Sequence, residues 1–387
     1  MTTTVLATAV QRPAWADLGL VRSVRAELSI RPPLVDAGGV RRFAGVLAAV
    51  AARDAVVVHG GDCAERFADA TPHAVRAKAG QLDSLAGLVT EATGLPAVRL
   101  GRLAGQYAKP RSSDREELAD GTTVPSYRGD AVNGPASTDR EPDPARLLHA
   151  YDSARRTLAE LARLNTGRAD LSRIYTSHEA LLLDYEVPLL RTSPDVAVSD
   201  VDFASSAHFL WVGDRTRDPS GPHVEFAARV ANGVGVKVGP SMSPDEAVLL
   251  SRRLNPHGLP GRVVFIVRLG AGLVDRVLPD LVARVSQAGA PVVWFCDPMH
   301  ANTVRTASGM KTRLLPAILA ETESFVRTVR AGGQWPGGVH LELTPDDVVE
   351  CVPAATEPVV LRYRSACDPR LNPAQATDVV RRFTELL

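Results

Sequence analysis

The stretch VVWFCDPMHANT (residues 292–303) opens as an apolar run and then delivers Asp297, Pro298 and His300 in quick succession. The run is too short for a helix and too continuously apolar for a strand with one wet face. It suits a strand buried on both faces, as in a parallel sheet. Polar residues beyond such a run are ordinarily explained by a chain leaving its core at a proline. The reading sharpens only if other strands end in the same way.

They do. Apolar runs recur at AVVVHGG (55–61), AVRLGR (97–102), SRIYTSHE (172–179), HFLWVGDR (208–215), GVKVGP (235–240), RVVFIVRLG (262–270), PVVWFCD (291–297) and GVHLELT (338–344). Helical segments lie between them. TPHAVRAKAGQLDSLAGLV (71–89) starts with Thr71 as N-cap and Pro72 just inside, and SPDEAVLLSRRL (243–254) repeats that start. LVDRVLPDLVARVSQAG (273–289) closes on a glycine suited to a helix end. A strand–loop–helix rhythm repeated in this way predicts an α/β fold, a (β/α)8 TIM barrel. An open doubly wound sheet is the alternative, but no GxGxxG fingerprint is present. Residues 1–50 read as an N-terminal helical extension that caps the barrel or forms a subunit contact. Its clearest piece is DAGGVRRFAGVLAAVAARD, which begins at Asp36, and residues 51–387 read as the catalytic barrel. Residues 103–150 form a long polar connection, of the kind that is usually functional or mobile.

Composition excludes several classes. The chain has 387 residues, 45% hydrophobic and 23% charged, enough for a substantial core. Lys+Arg and Asp+Glu balance at 44 each, so nothing points to nucleic acid or an anionic membrane as partner. No apolar run approaches the ~20 residues of a spanning helix, and MTTTVLATAVQRPAW lacks the pattern of a signal peptide. Four cysteines in a chain this long make no disulfide scaffold, and a cytoplasmic location is expected.

In a barrel the C-terminal ends of the strands build the site, and here every tip carries ionisable residues. In order these are Asp62, Cys63 and Glu65; Arg102, Lys109 and Arg111; His178 and Glu179; Asp214 and Arg215; Lys237; Arg268; Asp297 and His300, with Lys311 beyond; and His340 with Glu342. Seven of them form a cationic set: Arg102, Lys109, Arg111, Arg215, Lys237, Arg268 and Lys311. Converging cations in a neutral protein imply anionic groups to hold, and arginine forks suit phosphate and carboxylate. Cys63, His300, Glu342 and Asp368 form a second set of mixed soft and hard donors, suited to a divalent transition metal. Each of these residues alone is more simply a buried cysteine, a satisfied histidine or a paired carboxylate. His178 and Glu179 stay open as a base and its orienter. No GxSxG elbow and no P-loop is present.

GGDCAERF, GRLAGQYAKPRS, PSYRGDAVNG, TSHEALLLDYE, WVGDRTR, VKVGPSM, CDPMHANT, SGMKTR, GGVHLELT and CDPRLNPAQA, in that order, resemble the type II (plant-like) 3-deoxy-D-arabino-heptulosonate 7-phosphate (DAHP) synthases. The resemblance runs from about residue 12 to the C-terminus. It implies a barrel enzyme that condenses phosphoenolpyruvate with erythrose 4-phosphate at the start of the shikimate route. Carried over by motif, Cys63, His300, Glu342 and Asp368 would bind a divalent ion, manganese or cobalt first, iron or zinc otherwise. Arg102, Arg215, Lys237 and Arg268, with Trp211 and Asp214, would hold phosphoenolpyruvate. Lys109, Arg111, Ser112 and Lys311 would hold the aldose phosphate. Lys237, Arg102 and Asp214 would take part in catalysis, with Lys237 as proton donor or water positioner. Barrels of this type usually associate, and a homodimer is expected.

Departures surround the substrate. Asp214 stands where the family usually has Glu, Ala301 where Gly is usual, and Arg66 and Arg364 replace smaller or aromatic polar residues. An amino-substituted aldose phosphate, leading to amino-DAHP, is therefore an alternative, and a secondary-metabolic pathway is expected. Weak feedback by aromatic amino acids is expected from the short N-terminal segment. A catalytically weak barrel acting as the partner of a chorismate mutase is a reading of another class. A Cys63–Cys367 disulfide formed without metal is a third.

Overall fold

All eight apolar runs form strands in the computed structural model, which describes residues 9–117, 121–193, 202–306, 309–353 and 362–387. They are β1 (Val56–Gly61), β2 (Ala97–Arg102), β3 (Ile174–Glu179), β4 (Phe209–Val212), β5 (Gly233–Val238), β6 (Val263–Val267), β7 (Val292–Cys296) and β8 (Pro336–Glu342). Every pairing among them is parallel, and the sheet closes as β1-β8-β7-β6-β5-β4-β3-β2. The expected (β/α)8 barrel is the fold.

The helices are α1 (Leu18–Ile30), α2 (Ala37–Ala51), α3 (Pro72–Thr93), α4 (Arg146–Leu164), α5 (Pro222–Arg229), α6 (Pro244–Leu254), α7 (Val274–Gln287), α8 (Leu315–Ala331) and α9 (Pro373–Thr384), beside shorter turns. The predicted starts hold: Thr71 accepts from Ala74 N at 3.3 Å and Ser243 from Glu246 N at 3.1 Å. The rhythm breaks once. After β3 the chain makes only a single α-turn, Leu183–Glu186, before Pro188, which has no N–H to continue a helix. The vacancy on that flank is filled by α1, whose Val21, Val24 and Leu28 pack with Leu147 and Tyr151 of α4 and with Leu181 and Leu189.

Inside the barrel, the period of two sorts the residues. Val57, Val98, Tyr175, Phe209, Val264 and Val293 form the lower interior, while their sequence neighbours face the outer helices. The floor is α2. Asp36 caps it by accepting from Gly39 N at 2.5 Å, and Val40, Phe43, Val46, Leu47 and Val50 form its buried stripe at helical spacing. Phe43 sits with its ring 4.6 Å from that of Tyr175 and 6.1 Å from that of Phe209. Gly261 makes this close approach feasible: its φ is +74°, and a Cβ there would lie 2.4 Å from the Leu47 carbonyl carbon. Apolar material thus fills the bottom, and polar chemistry is confined to the top. Among the described residues no helix is long and apolar enough to cross a membrane.

Phe43→Ala empties a fully buried site at the barrel floor, so unfolding free energy should fall by about 3–5 kcal/mol. Guanidinium denaturation followed by tryptophan fluorescence measures it. A loss below about 1 kcal/mol would mean that α2 is not part of the cooperative core.

Candidate active site

The interior alternation ends, strand by strand, in chemistry. Continuing each inward-facing row to its last position gives Arg102, Glu179, Trp211, Lys237, Arg268, Asp297 and Glu342. Register fixes the neighbours: Gly61 pairs with Arg102 on one side and with Glu342 on the other. Above this tier opens a cavity of about 520 Å³. All fourteen candidate residues line it: Cys63, Arg102, Lys109, Arg111, Ser112, Trp211, Asp214, Arg215, Lys237, Arg268, His300, Lys311, Glu342 and Asp368.

At one side lies the thiol–carboxylate cluster. Donor atoms of Cys63, Glu342 and Asp368 all fall within 4.8 Å of one another. His300 stands beside this group and touches it at Glu342: its Nε2 is 2.9 Å from Glu342, while its Nδ1 is held 2.8 Å from Asp297. That second bond fixes which ring nitrogen faces the cluster. Lys109 reaches into the same place, with its ammonium 2.5 Å from Cys63 Sγ, 3.7 Å from Glu342 and in contact with Asp368. A positive charge is thus already favoured where the three donors converge, and with the His300 imidazole beside them the thiol and two carboxylates are a donor set that fits a divalent transition ion. Cys63 and Cys367 lie side by side as free thiols, and burial pushes the Cys63 thiol up.

Burial also opposes the charge on Glu342, but His300, Lys109 and Arg313 outweigh it and hold the carboxyl well below its usual range. Asp368 is held down in the same way, by Lys109, Arg313 and Lys311 against its own burial. Arg313 is the residue that sequence reasoning missed. It is fully buried, donates to Glu342 at 2.8 Å and to Thr303 Oγ1 at 3.1 Å, and also bonds the Pro369 carbonyl. Its signal was the alternation within KTRL: Lys311 turns to the mouth, and Arg313, two residues on, follows it from a short strand beside the barrel.

Other cations line the rest of the mouth. Arg102 is locked by bonds to the Asp62 and Cys63 carbonyls at 2.9 and 3.1 Å, and its guanidinium lies 5.1 Å from the Trp211 ring. Lys237 pairs with Asp297, and desolvation brings its ammonium down to about 8 although Asp297 pulls the other way. Arg268 donates to Asp214 at 2.9 Å and to the His300 carbonyl at 2.9 Å. Asp214 gives its other oxygen to Arg217 at 3.0 Å, in a notch where a Cβ on Gly239 would lie 2.5 Å away. Arg215 is exposed at the rim. Arg111, Ser112 and Lys311 line the same cavity; Arg111 is held by Glu116 at 2.6 Å and Lys311 by the cluster's own Asp368 at 2.7 Å.

His178 and Glu179 do not act together. Adjacent strand residues face opposite ways, so Glu179 enters the cavity while His178 points into the outer layer and bonds Glu186 at 2.7 Å. Burial pushes the Glu179 carboxyl up, and its Oε1 has no hydrogen-bond partner. The long connection after β2 is built on the site: Lys109 N donates to the Arg128 carbonyl at 2.9 Å, and Gly129, at φ +101°, would bring a Cβ to 2.2 Å from the Tyr107 carbonyl oxygen.

The sequence profile of the class-II DAHP synthetase family matches residues 3–174 and 168–383. The chain is 39% identical to a phospho-2-dehydro-3-deoxyheptonate aldolase of Streptomyces coelicolor, over 98% of this chain and 95% of that one. It is 36% identical to the phospho-2-dehydro-3-deoxyheptonate aldolase AroG of Mycolicibacterium smegmatis, over 98% and 92%. A solved phospho-2-dehydro-3-deoxyheptonate aldolase from Francisella tularensis superposes with a TM-score of 0.58 over 95% of both chains, at 14% identity, a likeness of fold.

Arg313→Met removes one cation from a buried carboxylate and should destabilise the protein by about 3–5 kcal/mol. A depressed carboxyl such as Glu342 contributes stability above its unfolded value of about 4.3, and that contribution is lost as pH falls through the folded one. The variant raises the folded value, so its acid-unfolding midpoint should move to higher pH. Circular dichroism against pH reads this; an unmoved midpoint would contradict it.

Proposed function

Because the chain belongs to the class-II DAHP synthetase family, we propose that the barrel mouth holds phosphoenolpyruvate and erythrose 4-phosphate on the two cationic groups that flank the Cys63 cluster. The activity is that of a DAHP synthase, a transferase that forms a carbon–carbon bond. One observation carries the residue roles: cations from separate strands converge on a single cavity around a thiol–imidazole–carboxylate group.

Phosphoenolpyruvate carries a carboxylate and a phosphate, and Arg102, Arg215, Lys237 and Arg268 supply the matching charges, with Trp211 as a flat wall. Lys109, Arg111, Ser112 and Lys311 then face the aldose phosphate. Carbon 3 of the enol adds to the aldehyde carbon, and the aldehyde oxygen takes up a proton. Positive charge at carbon 2 is quenched by water, and the resulting hemiketal expels phosphate with cleavage of the C–O bond. Lys237 is the proton donor that fits: burial brings it to about 8, close enough to neutrality to give up a proton and recover it. Asp214 acts through Arg268 and Arg217, setting the angle of the phosphoenolpyruvate cations. Fixed cations around the cavity supply most of the rate. A divalent ion, manganese or cobalt before iron or zinc, would be held by Cys63, His300, Glu342 and Asp368 and would supply Lewis-acid polarisation of the aldehyde oxygen.

The free thiols Cys63, Cys296, Cys351 and Cys367 support a reducing, cytoplasmic setting. Leu18, Leu20 and Ile30 of α1 are exposed and would be covered in a homodimer. Sedimentation equilibrium should return twice the chain mass; a monomer at micromolar concentration would reject that assembly.

Purified protein with manganese or cobalt should consume phosphoenolpyruvate, followed by its ultraviolet absorbance, only when erythrose 4-phosphate is present, and chelation should stop it. Cys63→Ala should lose bound metal and at least ~100-fold in turnover. Consumption only with an amino-substituted aldose phosphate would move the substrate assignment. A folded, metal-loaded protein that consumes neither would reject it.

A further inference from the structure

Below the mouth a chain of polar side chains runs from Arg102 through His340 and His59 to Ser177. Arg102 NH1 lies 2.6 Å from His340 Nε2, and His340 Nδ1 lies 2.8 Å from His59 Nδ1. His59 Nε2 lies 2.7 Å from Ser177 Oγ, whose hydroxyl donates to the Gly101 carbonyl at 2.8 Å. All four side chains are buried, and the two imidazoles are walled by aromatic rings, Trp211 at 5.1 Å from His340 and 5.4 Å from His59.

Elementary hydrogen-bond accounting fixes the direction of the whole chain. A guanidinium has donors only, so His340 Nε2 must offer its lone pair. The hydrogen of a neutral His340 is then on Nδ1, and it donates to His59 Nδ1. His59 therefore carries its hydrogen on Nε2, donates to Ser177 Oγ, and leaves the serine hydroxyl for the Gly101 carbonyl. Starting from the other end gives the same answer, because Ser177 has one hydrogen and spends it on Gly101. Any other assignment places two N–H groups against each other between buried side chains. The two histidines are thus neutral, with opposite tautomers.

Arg102 needs this. Its Nε goes to the Asp62 carbonyl, and its NH2 goes to the Cys63 carbonyl and, at 3.3 Å, to Glu342. Among the described residues, His340 is the partner of NH1, the nitrogen that keeps a hydrogen for a ligand. We infer that His59 and His340 are positioning residues: through a one-way hydrogen-bond chain they orient the NH1 edge of Arg102 toward bound phosphoenolpyruvate, and His59 does so without touching Arg102. The kinetic part rests on Arg102 being a phosphoenolpyruvate cation, as proposed above; the tautomer part does not.

Two measurements test it. Long-range 1H–15N correlation on histidine-labelled protein at pH 7 should show a neutral ring protonated at Nδ1 for His340 and a neutral ring protonated at Nε2 for His59. The His59→Leu and His340→Leu variants, which lose those signals in turn, assign them. A doubly protonated ring, or His340 protonated at Nε2, would overturn the chain whatever the protein catalyses. In His59→Leu, His340 Nδ1 loses its acceptor, and a hydrogen moved to Nε2 would oppose Arg102. The KM for phosphoenolpyruvate should rise at least ~10-fold and kcat should fall with it, while the KM for the aldose phosphate stays within ~2-fold. His59→Gln, which keeps an acceptor and a donor, should restore most of the affinity. A KM within ~2-fold of the parent refutes the positioning role. So does a loss spread evenly over both KM values and kcat that His59→Gln fails to rescue, since that marks packing alone. If the parent protein consumes no phosphoenolpyruvate, the proposed function fails while the tautomers still decide the chain.

Discussion

A carboxylate in the middle of a protein is expensive unless its charge is met. Glu342 is fully buried at the tip of β8, and four side chains meet it: Arg313 at 2.8 Å, His300 at 2.9 Å, Arg102 at 3.3 Å and Lys109 at 3.7 Å. Each comes from a different part of the chain. Arg102 ends β2, Lys109 belongs to the loop beyond it, His300 follows β7, and Arg313 lies on a short strand leading into α8. Neutralising one charge therefore ties the loops above β2, β7 and β8 to a common point. The interaction is costly if any partner is missing, and that cost enforces a single arrangement of the mouth.

A second buried acid extends the arrangement across the barrel. Asp297 is fully buried, pairs with Lys237 of β5 and holds His300 Nδ1 at 2.8 Å. His300 thus stands between two carboxylates, Asp297 and Glu342, and joins Lys237 to the donor cluster through them. The α8 residue Glu321 fixes the supporting loops from outside. It accepts from Leu269 N and Gly270 N at 2.9 and 2.7 Å and from Asn302 Nδ2 at 2.6 Å. Arg268 and His300 ride on those two loops, so their relative position is set by a helix that does not enter the cavity.

The strands and their chemical tips were legible in the sequence because parallel strands buried on both faces leave a continuous apolar signature, and the residue after each run is forced to the barrel mouth. Direction was harder to read. His178 and Glu179 look equivalent until pairing settles which faces inward. Arg313 was hidden because its short strand lies outside the barrel and carries no apolar run. The contact between His59 and His340 joins residues 281 apart, and it exists only because β1 and β8 meet where the barrel closes. The lone helical turn after β3 was hidden for a related reason: the surface it leaves bare is covered by α1, from the far end of the chain.

The cations at the mouth divide by how tightly the protein already holds them. Arg102 is 2% exposed and bonded at every nitrogen, and Lys237 is buried against Asp297. Such groups cannot reorganise when a ligand arrives, so their contribution is already in place at the moment of reaction. Arg215 is exposed at the rim, with no comparable set of bonds among the described residues. A cation of that kind loses side-chain freedom when a ligand arrives and gains more from charge than from geometry. Fixed cations thus lie beneath and an exposed one above, and the fixed tier belongs to the row of inward positions which the strand period itself dictates.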